Sequence, residues 1–216
     1  DVEYTTAAGL LCSALTAYQT INRKPNLNLV RTALVHGGSG AVGGGAVQLA
    51  KMHGITVFTT CSTRNVDYVR EHVHPDAIID YRTQDVDERV RELTDGRGAD
   101  LIVDTVSGEE AERDLGRLAY NGQLVTIVDV PPVSAAQMFG GAMSIDVVNL
   151  GGAHASGNPM EQHDLGTMAS DVLSMVSQGQ LDPLITGVLP FSDLVEGLRS
   201  LAEHKVTGKL VVDFDA

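Results

Sequence analysis

Short apolar runs alternate with helix-period segments through most of the first two thirds of the chain. Each run is rich in β-branched residues and too short for a helix, which predicts a buried strand. The predicted strands cover residues 32–36, 55–60, 77–80, 101–105 and 123–128, and helices are predicted at 41–53, 85–93 and 109–118 and in a segment that ends at 73. Strands that alternate with helices of this length indicate an α/β fold with a doubly wound parallel sheet covered on both faces.

The pattern changes after Pro131 and Pro132. A sixth strand is predicted at residues 145–150, helices at 165–176 and 193–204, and a last strand at 209–214. At the other end, Ala8, Leu11, Cys12, Leu15 and Tyr18 share one face of a predicted helix, although the chain has no initiator methionine. We therefore expect a natural N-terminal portion to precede the first residue.

A glycine-rich stretch, HGGSGAVGGGAVQLAK, follows the first predicted strand and opens a helix. Gly38, Gly40 and Gly43 form the G-x-G-x-x-G spacing of a dinucleotide-binding turn. In such a turn the three glycines permit, in order, a tight turn, close approach of the pyrophosphate to the backbone, and packing of helix on strand. Gly44 and Gly45 fall outside this motif, and two interpretations remain: close helix packing, or a loosened first turn.

The second predicted strand indicates which dinucleotide binds. NAD-binding versions of this fold carry an acid about 20 residues beyond the glycine turn, which holds the ribose 2′-hydroxyl. The segment 58–65 (FTTCSTRN) contains no acid and offers Ser62 and Arg64 instead. A guanidinium suits a 2′-phosphate, so the sequence favours NADP. The alternative is that Arg64 is a solvated residue at a helix start.

Composition narrows the classes of partner. The 216 residues carry a formal net charge of −13, which repels a phosphate backbone and argues against general nucleic-acid binding. The two cysteines, Cys12 and Cys61, show neither a metal-type pairing nor a disulfide framework, which fits a reducing cytoplasm. No apolar run approaches the length of a membrane span. These features predict a cytoplasmic protein without nucleic-acid or membrane partners.

Six stretches together resemble the nucleotide-binding half of the medium-chain dehydrogenase/reductase superfamily, and most closely its quinone-oxidoreductase-like branch. They are AAGLLCSALTAYQTI, ALVHGGSGAVGGGAVQLAK, AIIDYRTQD, RELTDGRGADLIVDTVSG, GQLVTIV and KVTGKLVV, in the order of the family. The resemblance implies a Rossmann fold, a carbonyl or quinone substrate and a homodimer. It also implies a preceding GroES-like barrel domain, so that residues 1–15 and 158–216 would complete that second domain around a Rossmann domain at 16–157.

The resemblance assigns cofactor contacts residue by residue. It places Gly40, Ala41 and Val42 at the pyrophosphate, Ser62, Arg64 and Tyr81 at the 2′-phosphate, Thr105 and Val106 beside the adenosine, Ile127, Val128, Gly152, Ala153 and His154 near the nicotinamide, and Thr16 and Lys209 in the domain cleft. Within this set only His154 is a candidate to orient a substrate or donate a proton. The alternative is an exposed loop histidine, and no catalytic residue is assigned.

The function predicted from these residues is an NADPH-dependent oxidoreductase that transfers a hydride to a quinone, an enone or a related carbonyl compound. Cys12 lies four residues before Thr16, as does a zinc-ligating cysteine in zinc-dependent relatives. A zinc-dependent alcohol dehydrogenase is therefore one alternative, although we favour a buried structural cysteine and predict no metal site. The other alternative is a nucleotide-binding module without turnover.

Overall fold

The computed structural model describes residues 1–215, and the helices and strands alternate along the chain as the pattern predicts. The helices are α1 (Tyr4–Tyr18), α2 (Ala41–Met52), α3 (Val66–Tyr68), α4 (Val86–Leu93), α5 (Gly108–Asp114), α6 (Ala135–Gly141), α7 (Gly152–Ala155), α8 (Pro159–Ser177) and α9 (Leu194–Ala202). The strands are β1 (Thr32–Val35), β2 (Thr56–Cys61), β3 (Ala77–Asp80), β4 (Ala99–Asp104), β5 (Leu118–Thr126), β6 (Ser144–Val147), β7 (Ile185–Pro190) and β8 (Lys209–Asp213). Helix α3 continues as a π-helical turn at Val69–Val73.

Six strands form one parallel sheet in the order β3-β2-β1-β4-β5-β6. The chain winds outward from β1 in one direction and from β4 in the other. A crevice therefore opens at the carboxyl ends of β1 and β4, which is where ligands bind in doubly wound sheets. The predicted doubly wound Rossmann fold is confirmed.

The two faces of the sheet bury separate apolar clusters because successive side chains of a strand point to opposite sides. Leu34 of β1 packs with Val90 of α4 and Ala111 of α5 on one face. Val35 joins the larger cluster on the other face, which includes residues of α1, α2 and α8. Helices α1 and α8 thus share a core with the sheet, and the expected domain boundaries after residues 15 and 157 stay a prediction.

Strands β7 and β8 form a separate two-stranded parallel sheet. Helix α1 packs on it closely: a Cβ placed on Gly9 would lie 2.5 Å from Cγ2 of Val211. A single bridge between Gly40 and Gly208 joins this small sheet to the glycine turn. The C-terminal segment therefore reaches the mouth of the crevice.

The region between α5 and β5 differs from the pattern. The predicted helix at 109–118 ends at Asp114, because two turns close behind it through hydrogen bonds from the Gly116 N–H to the Arg113 carbonyl and from the Arg117 N–H to the Asp114 carbonyl, 3.0 Å each. Strand β5 consequently begins five residues before the predicted start at 123. Helices α6 and α7 and strand β7 were not predicted, and α8 begins at Pro159, before the predicted start at 165.

Candidate dinucleotide site

Close packing within the turn accounts for two of the three motif glycines. A Cβ on Gly38 would lie 2.3 Å from Oγ1 of Thr59, and a Cβ on Gly43 would lie 2.3 Å from the carbonyl oxygen of Gly37. Real Cβ atoms do not approach other atoms so closely, so both positions exclude any larger residue. The turn is tight because the first strand exits directly beneath the helix that follows it.

Gly40 is different. Its backbone is extended (φ −92°, ψ 162°), a conformation open to any residue, and a Cβ there would meet only the Gly37 carbonyl oxygen at an ordinary 3.4 Å. The protein itself therefore gives no steric reason for a glycine at this position. Gly40 is the N-cap of α2, and no side chain caps that helix. Ala41 and Val42 form its first turn, whose N–H groups and dipole favour an anion.

The structure supports close packing as the reason for Gly44 and Gly45. A Cβ on Gly44 would lie 2.5 Å from Cδ1 of Leu184 and 3.0 Å from the Gly38 carbonyl oxygen. A Cβ on Gly45 would lie 3.2 Å from that of Ala17 in α1. Small residues on α2 thus let α1 and the segment before β7 approach it closely.

Ser62, Arg64 and Tyr81, which were expected at a 2′-phosphate, line one cleft of about 780 Å³. Arg82 also lines this cleft, although the sequence did not predict it. Ser62 follows β2, and Tyr81 and Arg82 follow β3, so both strand ends contribute. Arg64 and Arg82 have no carboxylate partner within residues 1–215, whereas most other basic side chains do. Nη2 of Arg64 instead donates to the carbonyl of His204.

Two acids lie at or beside this cleft, and both are engaged. Glu203 lines the cleft and pairs with Lys205. Asp80 accepts hydrogen bonds from the hydroxyls of Thr63 (2.6 Å) and Thr83 (3.0 Å) and from the backbone N–H of Arg82 (3.0 Å). The Thr63 hydroxyl is the main cause that lowers the pKa of Asp80. The neighbouring Cys61 is buried, and burial raises the pKa of its thiol to about 11. Cys61 is therefore a neutral thiol at physiological pH.

A second cleft, of about 700 Å³, lies between the carboxyl ends of β2 and β4. Val106, expected beside the adenosine, lines it, whereas the Thr105 hydroxyl turns inward and donates to the His36 carbonyl at 2.9 Å. Asp104 ends β4 beneath this region, and its buried carboxylate accepts a 2.8 Å hydrogen bond from the Val106 N–H. Burial raises the pKa of Asp104.

The residues expected near the nicotinamide lie farther along the same edge of the sheet. Ile127 and Val128 follow β5, and Gly152, Ala153 and His154 form the short helix α7 shortly after the adjacent strand β6. His154 is exposed. It lies in the short helix α7 and not in a loop.

Thr16 and Lys209 were expected to approach the cofactor from the side of the cleft. Thr16 is buried in α1, where its hydroxyl donates to the Cys12 carbonyl at 2.8 Å. Lys209 begins β8, directly after Gly208, whose N–H donates to the Ser39 carbonyl of the glycine turn at 2.8 Å. The contact with the turn is thus made by the residue before Lys209, whose own N–H donates to the Leu184 carbonyl, and the Thr16 hydroxyl stays within its own helix.

Sequence reasoning missed Asn65, which links the turn to the C-terminal segment. Its side-chain amide donates to the Ser39 hydroxyl (2.9 Å), and its side-chain carbonyl accepts from the Thr207 hydroxyl (3.1 Å). The three residues are far apart in sequence and belong to no local motif. No signal along the chain therefore indicated this link.

One cluster within residues 1–215 has the composition of a metal site. His36, Glu110 and Asp114 place ligand atoms within 4.8 Å of one another. The guanidinium of Arg117 already lies among them, 2.8 Å from Asp114 and in contact with Glu110. Both carboxylates are therefore already paired with a fixed cation. Cys12, which we expected to be buried, is exposed and belongs to no such cluster in the part of the chain described. The residues do not fit a zinc centre.

The fold and the glycine turn define a dinucleotide-binding protein of the α/β class. The sequence profile of the zinc-binding dehydrogenase family matches residues 73–212, about two thirds of the chain, and the chain belongs to that family. This finding confirms the resemblance to the cofactor-binding portion of the medium-chain dehydrogenases/reductases. Within residues 1–215, no helix combines the length and the apolar character that crossing a bilayer requires.

Three known proteins show the range of relatives. The quinone oxidoreductase-like protein 2 homolog of Nematostella vectensis is 29 % identical over 220 residues, covering 99 % of this chain and 59 % of the relative. The crystal structure of CurK enoyl reductase superposes with a TM-score of 0.82 at 25 % identity, over 98 % of this chain and 63 % of that one. A mycobacterial protein complexed with NADPH superposes with a TM-score of 0.80 at 26 % identity, over 98 % and 66 %. The chain thus spans about three fifths of these relatives.

Proposed function

We propose that this chain binds NADPH as part of an oxidoreductase that transfers a hydride to a conjugated carbonyl compound, a quinone or an enone. The observation that carries the proposal is Gly40, where glycine has no packing role and the uncapped start of α2 lies beside open space. A β-carbon there would stand where a pyrophosphate must approach the backbone. The complex of a structural relative with NADPH supports a nicotinamide cofactor.

The preference for NADPH rests on charge. The cleft beyond β2 presents Arg64 and Arg82 without carboxylate partners, together with the hydroxyls of Ser62 and Tyr81, and its one lining acid, Glu203, pairs with Lys205. A doubly charged phosphate gains charge-assisted hydrogen bonds from such a set. The ribose of NADH carries only a hydroxyl in that place and gains less.

The cofactor supplies the hydride, and the chain's own residues bind and orient it. The glycine turn would hold the pyrophosphate, while Ile127, Val128 and α7 would border the nicotinamide. The substrate class rests on the names of relatives, which include a quinone oxidoreductase-like protein and an enoyl reductase. The homodimer and the cytoplasmic location stay predictions.

Arg64→Ala tests the preference for NADPH. A lost charge-assisted hydrogen bond is worth about 1.5–3 kcal/mol, so NADPH should bind roughly tenfold or more weakly while NADH is nearly unaffected. Calorimetric titration of both cofactors measures this. Arg70→Ala is the matched control, because Arg70 lies in the same segment and pairs with Asp67. Equal losses for NADPH and NADH would assign Arg64 to holding the loop at His204 and remove it from the phosphate site.

Turnover tests the proposed reaction. The full-length protein should oxidise NADPH with quinones or enones in the presence of a chelator. Activity restricted to alcohols and aldehydes and abolished by the chelator would establish the zinc-dependent alternative. Binding of NADPH without oxidation by any of these substrates would establish a non-catalytic module.

A further inference from the structure

A chain of buried polar groups runs from the back of the adenosine cleft to the first peptide of the glycine turn. Nε2 of His36 lies 2.9 Å from Oδ1 of Asp114, and Nδ1 of His36 lies 3.1 Å from Oγ1 of Thr60. The same Thr60 oxygen accepts the backbone N–H of Gly37 at 3.2 Å. His36 and Thr60 are at most 3 % exposed, and Asp114 is fully buried.

The direction of these hydrogen bonds follows from the charge at one end. Arg117 donates to the same Asp114 oxygen at 2.8 Å, and a carboxylate in an ion pair with a guanidinium accepts hydrogen bonds only. Nε2 of His36 must then carry a proton. If His36 is neutral, Nδ1 accepts the Thr60 hydroxyl proton, and the Thr60 oxygen is left to accept from Gly37. Every proton in the chain of groups then has an acceptor.

The peptide at the end of this chain governs the turn. Gly37 has a φ of +71°, a left-handed conformation, and a Cβ there would lie 2.8 Å from the Thr105 hydroxyl. Its carbonyl oxygen accepts the N–H of Gly40 at 2.9 Å, and the Cβ-free Gly43 packs directly on it. Thr60 thus holds the N–H of the residue whose carbonyl oxygen, in the next peptide unit, contacts Gly40 and Gly43 at the start of α2.

We propose that His36, held in its Nε2–H form by Asp114, is a positioning residue for the cofactor, which acts through Thr60 to fix the glycine turn in its pyrophosphate-binding geometry. The proposal rests on the proposed dinucleotide function. It gives a role to the buried group formed by His36, Asp114 and Arg117, to which neither the glycine motif nor the resemblance assigned one.

Two substitutions of Thr60 form the test. Thr60→Val keeps the shape of the side chain but leaves the Gly37 N–H and His36 Nδ1 without their partner. Because an unsatisfied buried group is disfavoured, NADPH and NADH should both bind about tenfold more weakly. Thr60→Ser keeps the hydroxyl and should bind both as the wild type does. The probe 2′-AMP contains no pyrophosphate and should bind all three proteins equally.

The possible outcomes distinguish a failure of this proposal from a failure of the proposed dinucleotide-binding function. A wild-type chain that binds no dinucleotide contradicts the function itself. If the wild type binds and Thr60→Val binds equally well, the positioning role is wrong. A loss for 2′-AMP equal to that for NADPH also overturns it, because Thr60 would then contact the adenosine directly.

A spectroscopic measurement tests the tautomer independently of any variant. The ¹⁵N shifts of the His36 ring, assigned through the backbone of residue 36, should show a protonated Nε2 and an unprotonated Nδ1. A protonated Nδ1 would reverse the hydrogen bond to Thr60 and contradict the proposal.

Discussion

The main sheet and the C-terminal unit formed by β7, β8 and α9 both have regularly spaced apolar residues. These side chains are buried in the main sheet and largely exposed in the C-terminal unit. Every residue of β4 is buried, and Leu49 of α2 is 1 % exposed. In α9, which is also amphipathic, Leu198 is 57 % exposed and Val195 66 %. Phe191 and Phe214 stack at the surface of this unit with ring centroids 4.9 Å apart. An apolar periodicity therefore predicts a helix and its face, but it does not predict what that face contacts.

The two units are joined by the packing of α1 on β7 and β8 and by polar contacts where the cofactor is expected. Gly208 bridges to Gly40, Thr207 bonds to Asn65, and Arg64 contacts the carbonyl of His204. The main sheet is held by apolar burial, whereas these contacts between the units are polar. We infer that substitutions in the main sheet act on stability and that substitutions at the junction act on binding.

Equivalent leucines in the two units should show the largest contrast. Leu49→Ala removes a buried side chain from the core and should lower the free energy of unfolding by about 2–5 kcal/mol. Leu198→Ala changes an exposed side chain, and its effect should stay within about 0.5 kcal/mol. Urea denaturation of both variants measures the difference. Similar losses would show that α9 is buried in solution and would remove the contrast.

Two glycines in helices give the next contrast. Gly43→Ala places a Cβ against the Gly37 carbonyl oxygen and should destabilise the fold by about 1–3 kcal/mol. Gly166→Ala, in α8, meets no atom within 4 Å and should stabilise the protein by about 0.5–1 kcal/mol. Thermal unfolding monitored by circular dichroism distinguishes the two. A neutral Gly43→Ala variant would mean that the turn relaxes easily.

Asp100, in the main sheet, should contribute less to the free energy of unfolding, and its contribution should depend on pH. Burial alone would raise the pKa of Asp100, but hydrogen bonds from the Arg31 and Thr32 N–H groups, the Thr32 hydroxyl and the charge of Arg97 lower it below its ordinary value. Its stabilisation is therefore complete above the unfolded value of about 3.9 and is lost as the pH falls through the folded value.

Asp100→Asn should lower the free energy of unfolding at neutral pH by about 1–2 kcal/mol. The gap between wild type and variant should narrow as the solution is acidified below pH about 4, because only the wild type loses this contribution. Chemical denaturation at several pH values measures the gap. A gap that is constant with pH would contradict the role of the ionised carboxylate.

Local patterns were sufficient to predict the main sheet. The runs that became β1 to β4 are β-branched and bounded by turns, and the sheet order follows the expected winding. Strand β7 was missed because Gly187 and Pro190 interrupt its pattern and because it is stabilised by pairing with β8, more than 20 residues away. Helix α5 ends earlier than predicted because Asp114 and Arg117 form a buried ion pair. The spacing of apolar residues along the chain does not indicate such a pair.

The candidate site likewise combines features that the sequence predicted with features that it did not. The glycine turn and the absence of an acid after β2 are local features, and the sequence predicted both. Asn65, Thr60 and Asp114 contribute through contacts across the fold, and nothing in their immediate neighbours marks them. Packing also settled what spacing left open, since the space around Gly44 and Gly45 supports close helix contact.

The central claim is that the space in front of Gly40 receives a dinucleotide pyrophosphate, and Gly40→Val tests it most directly. Valine adopts the extended backbone of this position, so the variant should fold, with a loss at the helix N-cap of about 1 kcal/mol. Circular dichroism should match the wild type, while titration with NADPH and with NADH should show no binding. If Gly40→Val binds NADPH with the affinity of the wild type, the glycine turn is a packing device and the proposed cofactor site is wrong.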